Sequence, residues 1–308
     1  MEKKNLYRIL FLFIITNITL YLHGCASVEQ TLYLGDVKVN APISTPPTHI
    51  NINKEPGDVT ISPRFALINK KKVTGSTEDR HTQSLLLLDS SEYKPKSNNV
   101  EWNFSRYIFG TDIDFKLSKA FSLFGGFSFS SEGNLWGGNL GIGLHSHSTS
   151  PVVRFDIGIN IQKYEYDAVT IVHTRESYFG EDADEYISFF HDKGNEINFN
   201  PFFSLTVNST NDSSLLNYFM SAGFFWQSLL DFEPGETNYD PFLFWTKTVT
   251  DMRPDCNSGF LFFNPGLNLN LNEHMRILFS AKVLKEVLVT SDSNEWLVVP
   301  SVQLDFQL

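Results

Sequence analysis

His145, Ser146 and His147 place two imidazoles two positions apart, on one side of the chain if it is extended there. Zinc takes four ligands, and no third or fourth stands nearby in sequence, so the pair reads as a solvated turn. Glu181-Asp182-Ala183-Asp184-Glu185 offers hard oxygen ligands of the kind calcium takes. It lacks the glycine and the twelfth-position glutamate of an EF-hand loop, and reads as a solvated acidic loop. Cys256 has Arg253 as its only basic neighbour and no adjacent histidine, so it reads as an inert thiol. No Ser/His or Asp/His spacing suggests a catalytic constellation, and no glycine cluster precedes a helix to cradle a phosphate. The sequence therefore predicts a chain that is not an enzyme, with no metal and no cofactor.

A second set of ionisable residues recurs inside extended apolar runs: Arg106, Asp112, Asp114, Lys116, Arg154, Asp156, Arg276, Lys282, Glu286 and Asp305. Both signs are present. Side chains at every second position of a strand share a face, so these residues fall opposite the apolar ones. Val153, Phe155, Ile157, Ile159 and Ile161, for example, oppose Arg154, Asp156, Gly158, Asn160 and Gln162. In the last run Trp296, Val298, Pro300, Val302, Leu304, Phe306 and Leu308 oppose Leu297, Val299, Ser301, Gln303, Asp305 and Gln307. Helical spacing would scatter the polar residues around the axis.

About ten such runs occur, near 59–69, 103–117, 120–131, 135–146, 151–170, 195–208, 215–230, 258–271, 274–289 and 295–308. The connections at 117–120, 145–150, 208–214 and 271–274 are short, whereas those at 70–101, 173–194 and 231–257 are long. That alternation is the short-turn, long-loop asymmetry of outer-membrane barrels. A soluble β-sandwich also alternates, but several of these runs reach the 9–11 residues that cross a bilayer at a tilt. The expected fold is an all-β, antiparallel up-and-down transmembrane barrel of about 10 strands, with 8–12 as the range. Its apolar face meets lipid, and the ten charged residues line a lumen too narrow for an open channel, where they neutralise one another. Trp102, Tyr107, Trp136, Tyr218, Trp226 and Trp296 are expected as interfacial aromatics.

Residues 1–24 read as an export signal, with Lys3, Lys4 and Arg8 before the apolar stretch 9–22, which is too short to span a bilayer as a helix. Leu22-His23-Gly24-Cys25 resembles the bacterial lipobox, which implies lipidation of Cys25; ordinary cleavage near Ala26 is the other reading. Residues 25–57, interrupted by Pro42, Pro46, Pro47 and Pro56, are expected as a tether, and 58–308 as the barrel. With no acidic cluster directly after Cys25, the lipid is expected on the periplasmic leaflet of the outer membrane. Lys+Arg number 24 against Asp+Glu 35, a net charge of −11, which leaves no electrostatic footprint for nucleic acid. Phe 28, Tyr 11 and Trp 5 accompany a slightly negative mean hydropathy, which excludes a helical membrane protein.

Taken together, Cys25, the lead Asn40-Ala41-Pro42, Gly57-Asp58 and the closing Leu304-Asp305-Phe306-Gln307-Leu308 resemble the lipidated outer-membrane β-barrel proteins common in Bacteroidetes. The resemblance implies location and fold, a C-terminal strand recognised by the barrel-assembly machinery, and membrane lipid as a partner. It implies no common activity. A structural or surface-interaction role is the expectation, its extracellular ligand unspecified. A narrow channel or transporter for a small solute or hydrophobic ligand is the alternative, followed by a lipid-modifying enzyme.

Overall fold

The computed structural model describes residues 13, 26–43, 45–50, 55–69, 72–77, 98–131, 135–146, 151–178, 184–209, 215–228, 245–251, 257–289 and 296–308. Its strands are β1 (Ala26–Ala41), β2 (Val59–Leu67), β3 (Lys72–Thr77), β4 (Asn98–Phe104), β5 (Tyr107–Lys116), β6 (Phe121–Ser130) and β7 (Trp136–His145). These are followed by β8 (Val152–Tyr178), β9 (Asp184–Asn208), β10 (Leu216–Ser228), β11 (Trp245–Asp251), β12 (Asn257–Asn272), β13 (Met275–Val289) and β14 (Trp296–Gln307).

Ten of them close a barrel in the cyclic order β8-β7-β6-β5-β2-β14-β13-β12-β10-β9, with β9 returning to β8. Every neighbouring pair in the ring is antiparallel. The first and last wall strands meet: Leu308 N–H donates to the Val59 carbonyl at 2.8 Å. These ten strands are the ten runs read from sequence. Alternation explains why: outward Phe127, Leu140, Ile159, Phe199 and Leu261 are 46–65% exposed, while the intervening residues turn inward. A soluble protein would not leave so continuous an apolar belt in water. On a closed barrel whose strands run ten residues or so, it is the lipid-facing band of a transmembrane β-barrel.

Four connections at one end of the barrel are short in sequence. At 117–120 the Ser118 hydroxyl accepts from the N–H groups of Ala120 (3.2 Å) and Phe121 (3.1 Å), fixing the turn. The C-terminus lies at this end. The opposite end carries three of the long connections, and these are not bare loops. Beyond Gln162, β8 leaves β7 and continues with β9 as a projecting hairpin, Glu176 still paired with Asp184. The freed edge of β8 pairs with β1, Ala26 opposite Tyr178 and Asn40 opposite Glu165. On its other edge β1 pairs in parallel with β4 and β11, and β4 pairs with β3.

Within the stretch expected as a tether, Ala26–Ala41 form a strand. β1 is the central strand of a sheet outside the barrel, and the chain reaches it through the lumen. Trp102 is likewise displaced from the expected aromatic girdle: it lies in β4, buried and stacked with Phe104 at 6.3 Å. Tyr107, Trp136, Trp226 and Trp296 sit at the long-loop ends of wall strands, and Tyr218 near the short-turn end.

Candidate functional site

The lumen is filled by the chain's own segment 42–50, of which Ser44 lies outside the described residues. It enters beneath β1 and descends to the short-turn end, where Gly57 turns it into β2. Gly57 adopts φ 105°, a backbone region that favours glycine, and its N–H donates to the Lys116 carbonyl at 2.8 Å. Asp58 completes the turn, accepting from the Glu55 N–H at 2.9 Å and from Gln307 Nε2 at 3.0 Å.

The segment's three prolines, Pro42, Pro46 and Pro47, remove backbone donors and leave carbonyls to be satisfied. The wall supplies side-chain donors along the descent. Gln227 Nε2 donates to the Pro42 carbonyl at 3.2 Å, the Lys282 ammonium to that of Pro46, and Gln303 Nε2 to that of Thr48 at 2.9 Å. Asn264 Nδ2 reaches Thr48 Oγ1 at 3.1 Å. At the mouth the contact is apolar instead. Val37, Val39, Ala41 and Ile43 pack with Trp102, Phe104, Phe225, Phe260, Leu284, Leu297 and Val299 in one buried cluster. The upper lumen is therefore an oily seal and the lower lumen a polar clamp.

Arg154 organises the lower lumen. Its guanidinium donates to both oxygens of Asp114, from Nη1 at 2.8 Å and Nη2 at 2.9 Å, and from Nε to Asp156 at 2.6 Å. All three residues are buried. Such a forked, charge-assisted arrangement compensates the desolvation of one cation and two carboxylates only if it stays complete. His49 Nδ1 lies 3.1 Å from Nη2 and 3.4 Å from Asp156 Oδ2, and the His49 ring packs on Phe124 at 4.7 Å. A Cβ at Gly143 would come within 2.7 Å of the guanidinium, so the wall is thinned there to admit it.

Eight of the ten charged residues read from sequence are buried in the lumen: Asp112, Asp114, Lys116, Arg154, Asp156, Lys282, Glu286 and Asp305. Arg276 is half-buried at the short-turn rim, paired in register with Asp305. Arg106 is not lumenal; it is exposed in the bend between β4 and β5, its guanidinium 5.6 Å from the Tyr107 ring. The charges do not simply neutralise one another. Lys282 serves a backbone carbonyl, Asp305 accepts from Ser62 (2.7 Å) and Gln303 (2.8 Å), and Asp112 accepts from Asn139 (2.7 Å) and faces Arg64 at 3.2 Å.

His145 is no turn residue: it is buried, with Nε2 2.6 Å from the Ser122 hydroxyl. Cys25, Cys256, His147 and residues 181–183 lie outside the described residues. Asp184 and Glu185 open β9, and Glu185 faces Arg175 at 3.5 Å and His173 at 3.6 Å. Among the described residues no cluster of three or more His, Cys, Asp or Glu is arranged to hold a metal ion.

No family model matches the chain, and no curated protein does. Solved structures with similar folds include the outer-membrane protease OmpT from Escherichia coli, at 8% identity and a TM-score of 0.43, covering 84% of this chain and 99% of that one. The translocator domain of the autotransporter NalP from Neisseria meningitidis matches at 8% identity and a TM-score of 0.35, covering 82% and 89%. LpxR from Salmonella typhimurium matches at 10% identity and a TM-score of 0.32, covering 80% and 99%. At these values no activity transfers from them. The sequence-based expectation that the chain is not an enzyme does not stand as a conclusion either, because a β-barrel fold hosts unrelated functions and does not decide among them.

Proposed function

We infer that this chain is an outer-membrane barrel sealed by its own N-terminal segment, and that its role is surface interaction, exercised by the sheet it raises beyond the long-loop end. The observation that carries this reading is the path of residues 26–57: β1 stands among the long connections, the segment 42–50 fills the bore, and β2 starts at the short-turn end. By the usual asymmetry of such barrels the long-loop end faces outward. The N-terminal strand is then displayed outside. A lipid on Cys25 would leave the chain on that side, not on the periplasmic leaflet expected from the sequence. β14, with Phe306 near its end and Leu308 just after it, is the segment offered to assembly machinery.

The experiment is paired. Purified full-length protein in planar bilayers is expected to be electrically silent. In intact cells the projecting sheet is expected to be cleaved by added protease while the barrel survives. Steady conductance from the native protein would favour the channel reading.

A further inference from the structure

We propose that a groove of about 800 Å³ in the outer wall of the barrel, across β10, β12 and β13 near the short-turn end, holds one phospholipid of the surrounding bilayer by its acyl chain. That this leaflet is the periplasmic one rests on the orientation argued above; the occupancy of the groove does not.

The registers of β10, β12 and β13 set the outward side chains in rows. Tyr218, Leu267 and Phe279 form one row, and Phe263 and Val283 stand in another; both rows are bulky. The row between them is Met220, Pro265 and Ala281, with Pro300 of β14 opposite Ala281. Proline and alanine reach less far from the wall than their neighbours, so the surface dips there. The backbone deepens the effect. Pro265 has no N–H to give a neighbouring strand. The β12–β13 ladder accordingly has no paired residues between Phe263 with Val283 and Gly266 with Ser280.

The position of the groove decides what meets it. Tyr218, Met220, Leu267 and Phe279 are exposed members of the apolar belt, so the groove is continuous with the face that lipid covers. It has a polar end and an apolar body. Tyr218 stands near the short-turn end, at the level where interfacial rings turn their hydroxyls to the headgroups. Its contacts with Ser209 run through its own backbone, and its hydroxyl makes no hydrogen bond among the described residues. An ester or phosphate oxygen of a lipid can accept from it. Met220, Pro265 and Ala281 lie one step further into the membrane, where the acyl chain runs. Among the described residues no charged side chain lines the groove, so it selects the chain and not the headgroup charge. A second copy of this protein fits poorly. A two-fold contact sets a patch against itself, and a concave patch against its own copy leaves a void.

The test is native mass spectrometry of the full-length protein in mild detergent, titrated with phosphatidylethanolamine. One bound lipid is expected to persist under activation that strips the others. Ala281→Trp fills the dip with a side chain at home on a lipid-facing wall, and is expected to lower the affinity for that lipid at least about tenfold. Met220→Trp, which fills the same groove from β10, is expected to do likewise. Leu140→Trp, on β7 across the barrel, is expected to leave the lipid in place. Heat-modifiable migration checks that each variant is folded. Lysophosphatidylethanolamine, with one chain, is expected to compete; glycerophosphoethanolamine, with none, is not. Unchanged retention in both groove-filling variants, loss of all lipids without a plateau at one, or competition by the chainless headgroup would overturn the proposal. A dimer that Ala281→Trp dissolves would overturn it in favour of a second copy. Labelling of Glu273→Cys on intact cells would overturn the orientation instead: the site would move to the other leaflet, and its occupancy on purified protein would stand.

Discussion

Gln303 on the last wall strand donates to the Thr48 carbonyl oxygen at 2.9 Å, across 255 positions of sequence. With Lys282 and Gln227 it makes the barrel wall a receptor for the chain's own N-terminal segment. Replacing Gln303 and Lys282 together by alanine strands two buried carbonyls, each worth about 1–3 kcal/mol when left unsatisfied. The double variant is expected to melt lower in detergent and to show intermittent conductance in bilayers where the native protein shows none. Unchanged melting with silent bilayers would mean that the apolar mouth alone holds the segment.

Arg154→Leu should be the most damaging single change in the lumen. It leaves Asp114 and Asp156 buried without their cation, a loss of about 3–5 kcal/mol. Refolding yield into detergent, read by heat-modifiable migration, is the measurement. Adding Asp114→Asn and Asp156→Asn to Arg154→Leu should recover part of the yield, since the uncompensated charge is then gone.

Leu140→Arg separates membrane barrel from soluble sandwich. Leu140 is 65% exposed at the middle of β7. In water that change is nearly neutral; at the bilayer midplane it costs about 2–4 kcal/mol. Folding into lipid vesicles is expected to weaken by that amount.

In the projecting hairpin, hydrogen bonds from Lys193 and then His191 hold the Asp167 carboxyl below the usual carboxylate range. A depressed carboxyl contributes its stabilisation fully above its ordinary value, about 3.9, and loses it as pH falls through the lowered one. Hydrogen exchange of the hairpin amides, corrected for the intrinsic rate, should therefore hold steady from neutral pH to about 4 and quicken only below it. Asp167→Asn should remove that acid-dependent step.

The wall was legible because one face of each strand meets lipid and the other the lumen, which writes a period of two into the residues themselves: Leu140, Ile142 and Leu144 against Gly141, Gly143 and His145. The lumenal placement of Arg154, Asp156 and Lys282 followed from the same parity. Arg106 did not fit, because the chain bends at 105–106 and the register of β5 begins only at Tyr107. β1 escaped notice for a different reason. Its partners are strands folded from long connections, and Pro42, Pro46 and Pro47 after it look like linker until a wall of donors surrounds them. The Ser122–His145 contact spans 23 positions and two strands, a spacing that no local motif announces. Gln227 and Asn264 carry no signal until the segment they hold is seen inside the bore, and His49, on that segment, carries none until it meets Arg154.

The account stands or falls on the side of the membrane that β1 occupies. Single cysteines at Glu29, exposed on β1, and at Glu273, exposed in a short turn, can be probed in intact cells with an impermeant maleimide, against the native protein as background. Labelling of Glu29→Cys without permeabilisation, and of Glu273→Cys only after it, is the predicted result. Labelling of Glu273→Cys in intact cells while Glu29→Cys stays protected would place the N-terminal strand in the periplasm and contradict the threaded barrel's outward display.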